Sequence, residues 1–165
     1  MKLTFLAIAA FAAATGPALA SNASVPGCAA ASRIEIEGQI DRFAGALKTN
    51  DPDKVTALFA ADAVLLPTLS NTLRTNPSEV RDYFVHFLAK SPVVRVDSST
   101  VRIGCNMAER VGTWTWTLTD PKSGAKSQAA ARYSFIYRHE GGQWRIDHLH
   151  SSLMPEPVTK TAAAH

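Results

Sequence analysis

The stretch ARYSFIYRHEGGQWRIDHLHSS, residues 131–152, largely alternates apolar and polar residues on both sides of a Gly-Gly pair. Alternation with a period of two is typical of half-buried strands, and adjacent glycines favour a tight turn between them. We therefore predict a strand over residues 127–137, a turn at residues 140–142 and a strand over residues 143–151. This part of the chain belongs to a sheet.

The residues before this hairpin have a different period. Ser32, Asp51 and Asn76 each stand in a capping pattern before apolar residues at helical spacing, which predicts three helices. Val55, Leu58 and Phe59 form the expected apolar stripe of the second helix. The remaining predicted strands cover residues 63–66, 93–96, 100–105 and 112–119.

Helices followed by a meander of strands indicate the α+β class, with helices packed on one face of a curved antiparallel sheet. The open mouth of such a cone is a natural place for a small-molecule pocket. The chain has 165 residues, of which 46% are apolar and 19% charged, and this suits one globular domain. The net charge is only +3 and no run of Lys or Arg concentrates it, so we expect no nucleic-acid partner.

The N-terminal residues 1–20 have the features of a secretory signal peptide. Lys2 precedes an apolar run over residues 3–14, and Ala18 and Ala20 form a small-x-small cleavage pattern. We expect a periplasmic or secreted chain without a membrane segment after cleavage. Residues 21–31 would be a flexible N-terminal segment, residues 32–157 the domain and residues 158–165 a disordered tail.

Cys28 and Cys105 are the two cysteines of the chain. An oxidising compartment favours a disulfide between them, which would attach the N-terminal segment to the sheet. Two buried free thiols are the alternative.

Two segments resemble the NTF2-like superfamily. They are the C-terminal run from Arg132 to Pro155, with its pattern Gly-x-Trp-x-Ile-x-His-x-His-x-Ser, and residues 59–67. Within the superfamily they are most similar to the bacterial branch of the calcium/calmodulin-dependent protein kinase II association domain, a SnoaL-like relative. The similarity extends over about residues 34–157.

The resemblance implies a cone-shaped α+β barrel that assembles through its sheet as a homodimer or a larger ring. It also implies a pocket between the sheet and the helices. Arginines on two strands of the kinase hub bind small carboxylates, whereas this chain has Trp114 and Phe135 at the corresponding positions. Arg132 or Arg102 would then have to supply the positive charge for an anionic ligand.

His148 and His150 are the candidate catalytic residues. They are two apart on a predicted strand, and we expect them to face the cone together with Trp144 and Ile146. Two such imidazoles could transfer protons or anchor a ligand, or they could be core histidines with hydrogen-bond partners. No spacing supplies further ligands beside them, so we expect no metal site.

The other candidate pocket residues are mainly aromatic. Trp114 and Trp116 could line the pocket or belong to the sheet core, and Tyr83 could direct its hydroxyl into the cone or simply pack. Arg132 could bind an anion or form an ion pair at a dimer interface. Tyr133 lies on the opposite face of the same strand. The sequence does not fix the register of this strand, so it leaves open which of the two faces lines the cone.

Two functions follow from these residues. The first is a secreted homodimer that binds a small organic ligand, neutral or anionic, without strong catalysis. The second is a SnoaL-like enzyme, an isomerase, cyclase or oxidoreductase, that uses histidine-assisted proton transfer. No carboxylate is placed as a general base and no nucleotide-binding motif occurs, so we expect no cofactor and favour the first.

Overall fold

The computed structural model describes residues 27–155, so the predicted signal peptide and most of the predicted tail lie outside the described residues. Two helices, a strand and a third helix come first, and four consecutive strands follow. The elements are α1 (Arg33–Lys48), α2 (Pro52–Thr56), β1 (Phe59–Leu66), α3 (Pro77–Leu88), β2 (Val93–Ile103), β3 (Met107–Thr119), β4 (Lys126–Glu140) and β5 (Gln143–Leu153).

The three predicted helix starts are confirmed by their caps. Ser32 Oγ accepts a hydrogen bond from the Glu35 amide at 3.1 Å, and Asn76 Oδ1 accepts one from the Glu79 amide at 3.0 Å. Asp51 caps α2 in the same way. The second helix is shorter than expected, because it ends at Thr56 and the next residues turn into the sheet.

Strand β1 corrects two expectations. Phe59, expected on the second helix, begins this strand and pairs with Ile146. The sheet order is β1-β5-β4-β3-β2, and β1 runs parallel to β5 while the other pairs are antiparallel. The sheet is therefore mixed and open rather than entirely antiparallel. No hairpin joins β1 to β5, so no short turn imposes an antiparallel direction on this pair.

Helices α1 and α3 cover one face of the sheet, which we call the inner face. Phe43 of α1 has its ring centroid 5.7 Å from that of Phe135 on β4, and Phe87 of α3 lies 5.1 Å from Trp116 on β3. The opposite, outer face is not covered by any helix of the described chain. The core thus lies between the helices and the inner face.

A bulge between β4 and β5 changes which side chains of β5 face inward. Ile136 pairs with His148 and Tyr137 pairs with Ile146, so Asp147 is an extra residue on β5. Its carboxylate lies 2.9 Å from Arg138 Nη1 on β4. Because one extra residue reverses the alternation, the series of inward-facing positions on β5 shifts by one residue at the bulge.

The disulfide between Cys28 and Cys105 is present. Beside it, Asn106 Oδ1 accepts a hydrogen bond from the Ala29 amide at 2.6 Å, and Asn106 Nδ2 donates to the Gly27 carbonyl at 3.0 Å. The described end of the N-terminal segment is therefore attached to the connection between β2 and β3. Within residues 27–155, no helix is both long and apolar enough to cross a membrane.

Candidate functional site

A small cavity lies between α3, the segment after β1 and the inner face of the sheet. Its wall is mainly aromatic and aliphatic, and its volume is about 20 Å³, which is room for one or two water molecules. We call it the inner cavity. It is lined by Phe43, Leu65, Pro67, Thr68, Tyr83, Phe84, Phe87, Trp114, Trp116, Leu149 and Ser151.

The polar groups of the inner cavity are hydroxyls and indole N–H groups. Trp114 Nε1 donates a hydrogen bond to Ser151 Oγ at 3.1 Å, and Thr68 Oγ1 is hydrogen-bonded to the same oxygen. Trp116 Nε1 is buried and has no acceptor among the described residues. Burial raises the pKa of Tyr83 above its usual range, so its phenol is neutral at physiological pH.

A wider cleft adjoins the inner cavity. Its volume is about 220 Å³, and Tyr83 and Phe87 are shared between the two spaces. These two rings are stacked, with centroids 5.5 Å apart and planes at 16°. We call this space the outer cleft. It is lined by Leu69, Ser70, Arg74, Tyr83, His86, Phe87 and Lys90.

The structure brings three of the predicted pocket residues together. Tyr83, Trp114 and Trp116 all line the inner cavity. Tyr133 is buried on the same face with its ring centroid 4.6 Å from that of Trp114, but its hydroxyl donates to the Ser98 carbonyl at 3.1 Å and it does not line the cavity. Tyr133 therefore belongs to the core behind the cavity wall.

His148 and His150 lie on the outer face, so the expectation that they share a face with Trp144 and Ile146 is wrong. The bulge at Asp147 is the reason, because after it Leu149 and Ser151 take the inward positions. His148 is half-buried, and this burial, with a smaller contribution from His150, lowers its pKa below the usual value. The two imidazoles do not meet the cavity.

Arg132 also lies on the outer face. Its side chain is exposed, and its Nη2 donates to the Leu153 carbonyl at 3.5 Å. The structure therefore does not bring Arg132 to the inner cavity. Arg102 is likewise outside it and forms an ion pair with Glu109.

Comparison with known proteins identifies the family. The model of the family described as calcium/calmodulin dependent protein kinase II association domain matches residues 32–155. A crystal structure from Xanthomonas campestris, described as a domain of the same kind, is 41% identical with a TM-score of 0.74, and the match covers 79% of this chain and 96% of that one. The chain belongs to this association-domain family.

More distant structures share the fold of this association-domain protein. An NTF2-like superfamily protein from Salmonella enterica is 18% identical with a TM-score of 0.66, over 80% of this chain and 96% of that one. A ketosteroid isomerase-like protein from Erwinia carotovora is 17% identical with a TM-score of 0.61, over 74% and 95%. A search of curated proteins gives no match. The NTF2-like α+β fold expected from the sequence is confirmed.

Several residues that line the inner cavity and the outer cleft of this association-domain protein were not predicted from the sequence. Phe87 follows Tyr83 by one helical turn, a spacing that could have shown their shared face. Leu149 is three residues after Ile146, and both can face inward only if the strand contains a bulge. Arg74 and Lys90 lie at opposite ends of α3 in sequence, and no local pattern connects them.

The described part of the chain also has no group of three or more His, Cys, Asp or Glu residues placed to hold a metal ion. The chemistry available in the inner cavity is hydrogen bonding by hydroxyl and indole groups within an aromatic wall. His86, whose Nδ1–H donates a hydrogen bond to the Asp82 carbonyl at 2.9 Å, belongs to the exposed rim of the outer cleft.

Proposed function

We propose that this association-domain protein is exported and binds a small organic molecule at the inner cavity and outer cleft, as a homodimer and without strong catalysis. The signal-peptide pattern at residues 1–20 and the disulfide between Cys28 and Cys105 support export. Aromatic walls with a few polar groups are typical of small-molecule sites.

The observation that carries this proposal is the unpaired donor of Trp116. A buried N–H without an acceptor is costly in a folded protein, and Trp116 lines the inner cavity. Tyr137 Oη and Trp144 Nε1 also have no hydrogen-bond partner within residues 27–155, but neither residue lines the cavity. A ligand atom or a water that accepts this hydrogen bond would satisfy Trp116.

The enzymatic alternative has less support. Histidine-assisted proton transfer in the cavity would need His148 or His150 within reach of the substrate, and both lie on the outer face. The described lining of the inner cavity contains neither a carboxylate nor an imidazole, and the outer cleft adds one imidazole, that of the exposed His86. Ligand binding is the function that these residues serve best.

Ligand binding is tested with phenylacetamide, a neutral aromatic amide, by isothermal titration calorimetry. We expect saturable binding near the millimolar range, which suits about ten non-hydrogen atoms. Leu69→Trp fills the outer cleft and is expected to weaken binding by about tenfold or more. Leu73→Trp is the control, because Leu73 is exposed in the same segment and does not line the cleft.

Absence of saturable binding by both phenylacetamide and its acid, phenylacetate, up to about 10 mM would contradict the proposal. Equal weakening by Leu69→Trp and Leu73→Trp would also contradict it, because the cleft would then have no particular role.

The outer face of the sheet supports the homodimer. Val111, Thr113 and Ile136 are half-buried side chains at its centre, although no helix of residues 27–155 covers them. A face with this many apolar and β-branched side chains is rarely left to solvent. A second copy of the chain, which presents the same surface, is the occupant we propose.

Ile136→Glu places a charge at the centre of this face and is expected to give a monomer by light scattering at micromolar concentration. Val85→Glu is the control, because Val85 is an exposed apolar residue of α3 away from the sheet. A monomeric unmodified protein would overturn the homodimer, and a larger closed assembly that survives Ile136→Glu would overturn the proposed face.

A further inference from the structure

The two histidines of β5 lie on the outer face, next to the middle of the surface proposed for the homodimer. His148 is paired with Ile136 of β4, and His150 is paired with Ser134 of the same strand. In the single chain His148 is half-buried and His150 is exposed. Because paired residues of neighbouring strands stand side by side, a second copy that covers Ile136 also covers the imidazole beside it.

A homodimer contains each of these imidazoles twice. Two identical copies that associate through the same face form a twofold interface, so every residue of the face occurs once from either copy. Four imidazoles therefore enter one interface. A neutral imidazole has one donor and one acceptor and is tolerated there, whereas a charged imidazolium that loses its water needs a carboxylate beside it.

The carboxylate next to His148 in sequence is already engaged. Asp147 Oδ1 lies 2.9 Å from Arg138 Nη1, within a network of ion pairs at the end of the hairpin between β4 and β5. The other charged residues of this network are Asp62, Glu140 and Arg145. Burial and, to a smaller extent, His150 lower the pKa of His148 by more than Asp147 raises it.

The remaining neighbours on the outer face supply no partner for a proton either. Glu109 of β3 faces outward in the same row of the sheet, two strands away, and forms an ion pair with Arg102. Arg132 of β4 is a further cation, and β1 presents Val64 and Leu66 as the strand partners of the two imidazoles. Within residues 27–155, neither imidazole is in an ion pair with a carboxylate.

We infer from this arrangement that pH controls the assembly: the homodimer forms through the outer face while His148 and His150 are neutral, and it dissociates when they take up protons. The inference rests on the proposed homodimer and adds the condition under which it separates. Both rings are more exposed to water in the single chain, so the single chain binds protons more tightly than the dimer does. Dissociation therefore increases as the pH falls through about 6.5.

The test measures the dissociation constant of the homodimer by analytical ultracentrifugation at pH 7.5 and pH 5.5, at the same ionic strength. We expect the constant to increase by about tenfold or more at the lower pH, because each copy takes up protons as it is released. Circular dichroism of the same samples is expected to show folded chains at both pH values, so the event is dissociation rather than unfolding.

Two variants locate the protons. The joint replacement His148→Gln with His150→Gln keeps polar side chains that do not titrate, and we expect a dimer whose constant changes by less than about threefold between the two pH values. His150→Lys places a permanent charge at a position that is exposed in the single chain, and we expect folded protein with a dimer weakened by about tenfold or more at pH 7.5.

His86→Gln and His86→Lys are the matched controls. His86 is exposed on α3, away from the outer face, so both variants are expected to associate as the unmodified protein does at each pH.

The outcomes separate the inference from the homodimer itself. A dimer of equal affinity at pH 7.5 and pH 5.5 would overturn the inference and leave the homodimer in place. Unchanged pH dependence in the double glutamine variant would also overturn it, because other groups would then be responsible. His150→Lys is an independent test, and a dimer as tight as that of the unmodified protein would contradict the inference. A protein that is monomeric at both pH values would overturn the homodimer and the inference together.

Discussion

The two faces of β4 differ in how deeply their side chains are buried. On the inner face, Tyr133, Phe135 and Tyr137 are buried, and the rings of Phe135 and Tyr137 are stacked 5.4 Å apart. On the outer face, Arg132 is exposed and Ser134 is half-buried. The buried contacts of the strand are concentrated on the first face, and the second is the face of the proposed homodimer. Since a strand alternates its side chains, a shift of one residue is enough to exchange the two roles.

The strongest way to test this difference is to truncate one residue on each face. Phe135→Ala removes a buried ring from the cluster with Phe43 and Trp114, and we expect the free energy of unfolding to fall by about 3–5 kcal/mol. Gln128→Ala changes the exposed, outward side of the same strand, and we expect a change within about 0.5 kcal/mol. Urea denaturation measures both. Similar losses would mean that the faces are not distinguished as described.

A second contribution to stability comes from the disulfide at the edge of the sheet. Replacing Cys28 and Cys105 by serine opens a loop with a sequence separation of 77 residues, and we expect a loss of about 2–4 kcal/mol because the unfolded chain gains freedom. Denaturation of the double variant beside the oxidised protein provides the measurement. A variant as stable as the oxidised protein would show that the bridge does not contribute to the fold.

The stability of the folded protein should depend on pH through His148 on the outer face. Its pKa in the folded protein is lowered by burial and by His150, whereas in the unfolded chain it has the usual value of about 6.5. The unfolded state therefore binds the proton more tightly, so stability decreases as the pH falls through about 6.5. His148→Gln should remove this part of the pH dependence and leave stability near pH 8 little changed. Identical pH profiles for the two proteins would contradict the account.

Local patterns predict the helices of this chain well and its strand faces only in part. The caps at Ser32 and Asn76 and the spacing of apolar residues act within a few positions, so the helix starts are visible in the sequence. The bulge is different, because it depends on how β5 meets β4. Asp147 is accommodated there beside Arg138, which also binds Glu140 and Asp62.

The outer cleft was beyond prediction for a related reason. Arg74 and Lys90 line the same cleft only when α3 and the segment before it have packed on the sheet. The direction of β1 is also a long-range property, since its partner β5 is at the other end of the domain. Alternation within a strand contains no information about these contacts.

The bulge at Asp147 places Ser151 on the inner face of the sheet and His150 on the outer face. The most direct measurement is a nuclear Overhauser experiment on the Trp114 indole N–H proton, which the structure directs to Ser151 Oγ at 3.1 Å. We expect strong contacts from this proton to the β-protons of Ser151 and none to the imidazole of His150. Contacts to His150 with none to Ser151 would show that β5 continues without a bulge, and the histidines would then face the cavity.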